Sequence, residues 1–166
     1  ELGSGGRLVL GELAGYDEPQ AAAATAAEFA RALPRDVICR PGPWAQHTYV
    51  GERSRREDEP DAADPAKAGN LPLIDAIDRV LRRRGCPKPI WITETGSFDH
   101  RCEAIAAALA DWARDLRVDA AFQYTFREDS EFPVGLADAR LSRTYPAYEA
   151  WRAAARPGGP PDRPCA

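Results

Sequence analysis

The chain has 166 residues, 44% of them hydrophobic and 29% charged, and a formal net charge of −4 from 22 basic and 26 acidic side chains. That balance leaves no electrostatic footprint for nucleic acid or an anionic membrane, and no apolar run approaches the roughly 18 residues of a bilayer span, so neither partner is expected. The sequence has no Met and opens Glu1-Leu2-Gly3-Ser4 without a charged n-region and apolar h-region, so it is expected to be a piece of something longer. Cys39, Cys86, Cys102 and Cys165 show no C-x-x-C spacing, and His47 and His100 are the only histidines. No structural zinc site, metal or cofactor is therefore expected, and the even cysteine count permits disulfides without requiring them.

In chain order, Arg7-Leu8-Val9-Leu10 is a short apolar run ended by Gly11 and predicts a buried strand. Asp17, Pro19 and Gln20 read as N-cap, first-turn proline and capping-box residue of a helix running to Leu33, which Pro34 stops. Asp36-Val37-Ile38-Cys39 predicts a second strand, with an irregular stretch from Arg40 to Val50 and a long charged loop from Gly51 to Asn70. Leu71, Ile74, Ile77, Val80 and Leu81 recur at helical spacing, and Arg82-Arg83-Arg84-Gly85 supplies the cationic last turn and glycine stop.

Ile90-Trp91-Ile92-Thr93 predicts a third strand running into Glu94-Thr95-Gly96, and Ile105, Leu109 and Trp112 space a helix ending near Asp115. Val118 to Tyr124 predicts a fourth strand, the loop Arg127 to Arg143 follows, and a last amphipathic helix spans Tyr145 to Ala155. Pro157 to Ala166 reads as a Pro/Gly-rich tail or linker. Strands each followed by a helix indicate right-handed βα units in a parallel sheet, either open and doubly wound or part of a (β/α)8 barrel. Four units are about half of the ~250 residues a barrel takes, and no G-x-G-x-x-G or G-x-x-x-x-G-K-[ST] follows any strand, which favours the barrel.

Chemistry concentrates after the strands. Glu94 directly follows the Ile-Trp-Ile run, flanked by Thr93 and Thr95, and from pattern alone reads either as a helix-capping carboxylate or as a site residue. His47 and Tyr49, two apart in an extended segment, share a face and read either as a site pair or as a half-buried loop pair.

Trp91-Ile92-Thr93-Glu94-Thr95-Gly96 resembles the seventh-strand motif of clan A retaining glycoside hydrolases, the (β/α)8 group that includes cellulase-like family 5 enzymes, whose Glu is the nucleophile. His47-Thr48-Tyr49 is similar to the H-x-Y of the sixth strand, whose Tyr hydrogen-bonds that nucleophile. Phe122 to Asp129 with Phe132-Pro133-Val134-Gly135-Leu136 resembles the eighth strand and its loop in bacterial members, and Gly11-Glu12-Leu13-Ala14 a motif after the fifth. The likeness covers about residues 8 to 155.

The resemblance implies the C-terminal half of a (β/α)8 barrel, strands five to eight, over residues 1–156, and an oligo- or polysaccharide substrate. It makes Glu94 the nucleophile, His47 and Tyr49 its neighbours, Trp44, Tyr124 and Phe126 aromatic walls for sugar, and Glu12 a supporting hydrogen-bond residue. The family's acid/base, a fourth-strand Glu usually preceded by Asn, has no counterpart: the only Asn is Asn70. Its eighth-strand Trp is also absent.

The missing partner of the chain would thus be the other half of its barrel, and the piece alone is expected to be inactive. The resemblance points to secretion; the residues themselves leave the compartment open. A non-catalytic carbohydrate-binding barrel and an unrelated parallel α/β module are the competing readings. Cys86 and Cys102 flank opposite ends of the Ile90 strand, about 17 Å apart against a limit near 7 Å, so they are not expected to pair.

Overall fold

The computed structural model of the protein describes residues 7–13, 24–50, 70–129, 133–156 and 165. Its strands are β1 (Leu10–Leu13), β2 (Trp44–His47), β3 (Ile90–Thr95) and β4 (Val118–Gln123). Between and after them come α1 (Ala26–Ala32), α2 (Arg35–Ile38), α3 (Leu71–Arg83), α4 (Cys102–Arg114) and α5 (Ala147–Ala154). No described helix is long and apolar enough to cross a membrane.

The long helices form where the apolar period demands. In α3, Leu73, Ile74, Ile77, Val80 and Leu81 are buried, with Arg82 and Arg83 in the last turn beside the carbonyl end of the helix dipole. In α4 the buried stripe is Ile105, Ala108, Leu109 and Trp112. α1 begins at Thr25, whose side chain accepts from the Glu28 amide while the Glu28 carboxylate accepts from the Thr25 amide, a complete capping box. The expected start at Asp17 lies outside the described residues, as do most of the charged 51–70 loop and Phe132.

Three expectations are corrected. Asp36–Cys39 is not a strand: Arg35–Ile38 is a single helical turn in which the Val37 and Ile38 amides donate to the Pro34 carbonyl. A four-residue apolar run fits either state, and here Pro34 opens the turn. The second strand is instead Trp44–His47, inside the stretch expected to be irregular, seated by Trp44 N–H donating to Pro89 O at 2.9 Å. The first strand is likewise shifted, to Leu10–Leu13, because Gly11 continues it through a bulge instead of ending it.

All four strands are parallel and hydrogen-bonded in the order β1-β2-β3-β4. Sequential order joined by crossovers of one hand places every connecting helix on the same face of the sheet; a doubly wound sheet must reverse order to use both. Trp44, Ile90 and Ile92 belong to the core formed with the buried helix residues, and the Trp44 ring lies 6.4 Å from that of Phe29 on α1. The other face carries Trp91, whose ring is 6.1 Å from that of Phe122, and Phe122 is 48% exposed.

The cysteines pair Cys39–Cys86 and Cys102–Cys165, with Cα separations of 5.1 and 5.7 Å. The first joins the end of α2 to the approach to β3, and the second ties Cys165, expected in a tail or linker, to the first residue of α4.

Candidate functional site

The site lies at the C-terminal ends of β1, β2 and β3, and two bulges shape it. Laterally paired residues of a parallel sheet point to the same face, and successive residues alternate. On β3, Ile90 and Ile92 face the helices, so regular alternation would send Glu94 the same way. The register instead runs Gln46↔Ile92 and then His47↔Glu94, leaving Thr93 as an extra residue and turning Glu94 to the open face with His47.

β1 repeats the device. Gly11 pairs with Ala45 and Leu13 with Gln46, so Glu12 is the extra residue, with φ 57° in the left-handed region. Without the bulge Glu12 would pair with Gln46 on the helix-packed face. Gly11 has φ 103°, and a Cβ there would stand 2.3 Å from the Ala45 carbonyl oxygen, so only glycine lets the strands approach.

Four predicted residues thereby meet. Tyr49 O–H donates to Glu94 Oε2 at 2.6 Å. His47 Nδ1 faces the same oxygen at 3.3 Å, and its Nε2 lies 3.0 Å from Glu12 Oε1. Burial first, then the hydrogen bond to Glu94 and the charge of that carboxylate, hold the Tyr49 phenol well above the usual tyrosine range, which keeps it a donor. The imidazole thus stands between two carboxylates, one at each ring nitrogen. The Glu94 carboxylate is 28% exposed, accessible from the open side.

The remaining candidates divide. Tyr124, just past β4, donates its amide to Thr95 O at 2.8 Å and lies close enough to Tyr49 to act on it electrostatically. Phe126 is 54% exposed and packs edge-on against Tyr148 of α5, with 6.1 Å between ring centroids. Trp44 corrects the expectation of a sugar wall: it is 0% exposed, on the helix-facing side of β2. The Thr93 and Thr95 hydroxyls that flank Glu94 are buried and have no hydrogen-bond partner among the described residues, so neither bonds it.

Phe98 was not singled out from sequence, yet its ring lies 5.6 Å from that of Tyr49. Its position four residues after Glu94 was the available signal. A second cluster supports the rim: the His100 ring stacks on Tyr145 at 3.8 Å, and His100 Nε2 lies 3.3 Å from Glu128 Oε2, joining the loops after β3 and β4.

Glu12, His47 and Glu94 each offer one ligand atom within 4.8 Å of the others. The imidazole, however, turns one nitrogen to each carboxylate, and a metal can take only one ring nitrogen while carboxylates ligate near 2.0–2.2 Å. The arrangement fits a chain of proton-linked contacts better than a metal cage.

No family model and no curated protein matches the chain. Among solved structures it is similar to XacCel5A in complex with cellopentaose, with a TM-score of 0.50, 10% identity, and coverage of 80% of this chain and 42% of that one. A GH2 β-galacturonidase from Eisenbergiella tayi aligns with a TM-score of 0.47 and 18% identity over 68% of this chain and 23% of that one. A triple mutant of the endo-β-1,4-glucanase Xac0030 from Xanthomonas axonopodis pv. citri aligns with a TM-score of 0.44 and 12% identity over 68% and 35%. The chain thus spans less than half the length of each. The XacCel5A likeness is one of fold: an α/β chain with a parallel four-stranded sheet.

Proposed function

We propose that the chain is the C-terminal half of a (β/α)8 barrel, strands five to eight, from a retaining glycoside hydrolase that acts on β-linked glycosides by double displacement. Residues 1–156 form the partial domain and 157–166 its tail. The observation that carries the reading is the Glu94 carboxylate at the C-terminal end of an interior parallel strand, with the Tyr49 hydroxyl 2.6 Å from Oε2. Both contacts of Glu94 described above fall on Oε2, which leaves Oε1 as the attacking atom.

In the first step the Oε1–C1 bond forms as the glycosidic C–O bond breaks, and the departing oxygen takes a proton from a carboxylic acid. In the second, that group deprotonates a water, which attacks C1 and releases Glu94 as a carboxylate. The proton donor belongs about 5–5.5 Å from the nucleophile. On this reading it comes from the other half of the barrel, because Glu12 is already engaged by His47. Tyr124 and the unpredicted Phe98 are the aromatic surfaces beside Tyr49 that a sugar would meet. Cello-oligosaccharides, the class of ligand in the XacCel5A structure, are the substrates to try first.

The test compares the full-length protein with its Glu94→Gln variant on aryl β-glycosides and cello-oligosaccharides. Loss of kcat on the order of a thousandfold or more is expected; equal activity would refute the assignment.

A further inference from the structure

We infer that Glu12 is a positioning residue for the nucleophile, acting through His47. The inference rests on the glycosidase reading and adds to it a carboxylate that never touches the sugar.

Two strands are independently distorted to bring this about. The β1 bulge sets Glu12 in the left-handed region, where a non-glycine residue is strained, and the β3 bulge turns Glu94 over. Each distortion moves one carboxylate from the helix-packed face to the open face. They converge on the same imidazole, at 3.0 Å from Nε2 and 3.3 Å from Nδ1. The β1 bulge also gives Leu13 the place against the core, opposite Gln46, that Glu12 would otherwise take. Among the described residues, His47 is the one hydrogen-bond and ion-pair partner of Glu12.

An imidazole with a carboxylate on each edge has its plane and its protons set by the pair. Glu12 at Nε2 and Glu94 at Nδ1 hold the ring from both edges, and a carboxylate at each edge favours an N–H on each nitrogen, Nδ1 keeping its own toward Glu94 Oε2. Glu12 therefore selects the form of His47 that supports Glu94, and together with Tyr49 it leaves Oε1 as the free oxygen. If Glu12 is changed to an amide, the ring is free to place its single proton on Nε2, and Nδ1 then turns a lone pair toward the nucleophile.

Two measurements test this. In the 166-residue chain, ¹⁵N spectra of the imidazole nitrogens are read for the native protein, Glu12→Gln and Glu12→Asp, with His100→Gln assigning the two histidines. Native His47 is expected to show a protonated Nδ1, Glu12→Gln to lose that signature, and Glu12→Asp to retain it in part. In the full-length protein, Glu12→Gln is expected to lower kcat on a dinitrophenyl glycoside about tenfold with KM little changed, and Glu12→Asp to recover part of it.

An unprotonated Nδ1 in the native chain, an unchanged His47 spectrum in Glu12→Gln, or a rise in KM at constant kcat would each overturn the positioning role. Failure of the glycosidase reading is separate: it shows as activity that survives Glu94→Gln, whatever the imidazole spectrum does.

Discussion

Tyr49→Phe removes one oxygen and keeps the ring that packs beside Phe98 at 5.6 Å. The lost bond is short, 2.6 Å, and runs to a carboxylate that is 28% exposed. A hydrogen bond to an ionised group is worth about 1.5–3 kcal/mol, which at about 1.4 kcal/mol per decade is roughly 10- to 150-fold in rate. On the double-displacement reading, where that loss falls follows from the charge on Glu94. In the first step the carboxylate loses charge as it attacks, so the bond is strongest in the ground state and its removal slows attack little. In the second step Glu94 departs as a carboxylate, and a donor aimed at Oε2 stabilises the charge as it develops.

On the same reading, dinitrophenyl glycosides, whose leaving group needs no proton, are expected to make the second step limit turnover. Tyr49→Phe is therefore expected to lower kcat by roughly 10- to 150-fold while kcat/KM changes far less, and to accumulate glycosyl-enzyme visible by mass spectrometry. An unchanged kcat, or a loss confined to kcat/KM, would refute the role. The same phenol bears on stability. Its folded value lies above the 10.0 of an unfolded tyrosine, so its contribution is complete below that pH and is lost as pH rises beyond it. Tyr49→Phe is expected to flatten part of the alkaline decline in urea-unfolding stability.

Gly11→Ala forces a Cβ to within 2.3 Å of the Ala45 carbonyl at a φ of +103°, and is expected to destabilise by at least about 2 kcal/mol in urea unfolding. The disulfides close sequence separations of 47 and 63 residues, for which loop entropy predicts about 4 kcal/mol each; thiol reduction should lower the unfolding midpoint sharply, and an unchanged midpoint would contradict both pairings. The half-exposed Phe122, beside the partly buried Trp91, predicts concentration-dependent self-association of the 166-residue chain in sedimentation, reduced in Phe122→Lys; a monomer with cooperative unfolding would count against a half-barrel.

The parts legible in the sequence were those governed by local period. Leu73 to Leu81 and Ile105 to Trp112 declare their helices because burial on one stripe repeats every turn. Trp44–His47 did not declare itself, since Pro41, Gly42 and Pro43 precede it and only pairing with its neighbours, the Leu10 amide donating to Pro43 O and the Trp44 amide to Pro89 O, makes it a strand. Its tryptophan, expected as a sugar wall, accordingly lies in the core. The site residues Glu94, His47 and Tyr49 were legible as residue types at strand ends, but their convergence was not. Strict alternation sends Glu94 to the helix side with Ile90 and Ile92, and the Thr93 bulge that reverses it is a property of pairing between strands. Glu12 is the same case, with Gly11 as its only local sign.

The sheet's one-sidedness and the incomplete chemistry have a common origin on the half-barrel reading. Sequential parallel order with crossovers of one hand covers a single face, so the other must be covered by something else. Val9 and Phe122, 47% and 48% exposed, lie on or beside that uncovered side, and Trp91 stands next to Phe122. Four strands cannot curl far enough to pair β1 with β4; about eight can, and their inward side chains then fill one another's space. Closure would bury Trp91 and Phe122, pair both edges, and bring a second set of strand ends opposite Glu94. A retaining glycosidase needs its proton donor across the sugar from the nucleophile. The half that covers the apolar face is therefore also the half that must carry the acid, and one full-length protein tests both requirements at once.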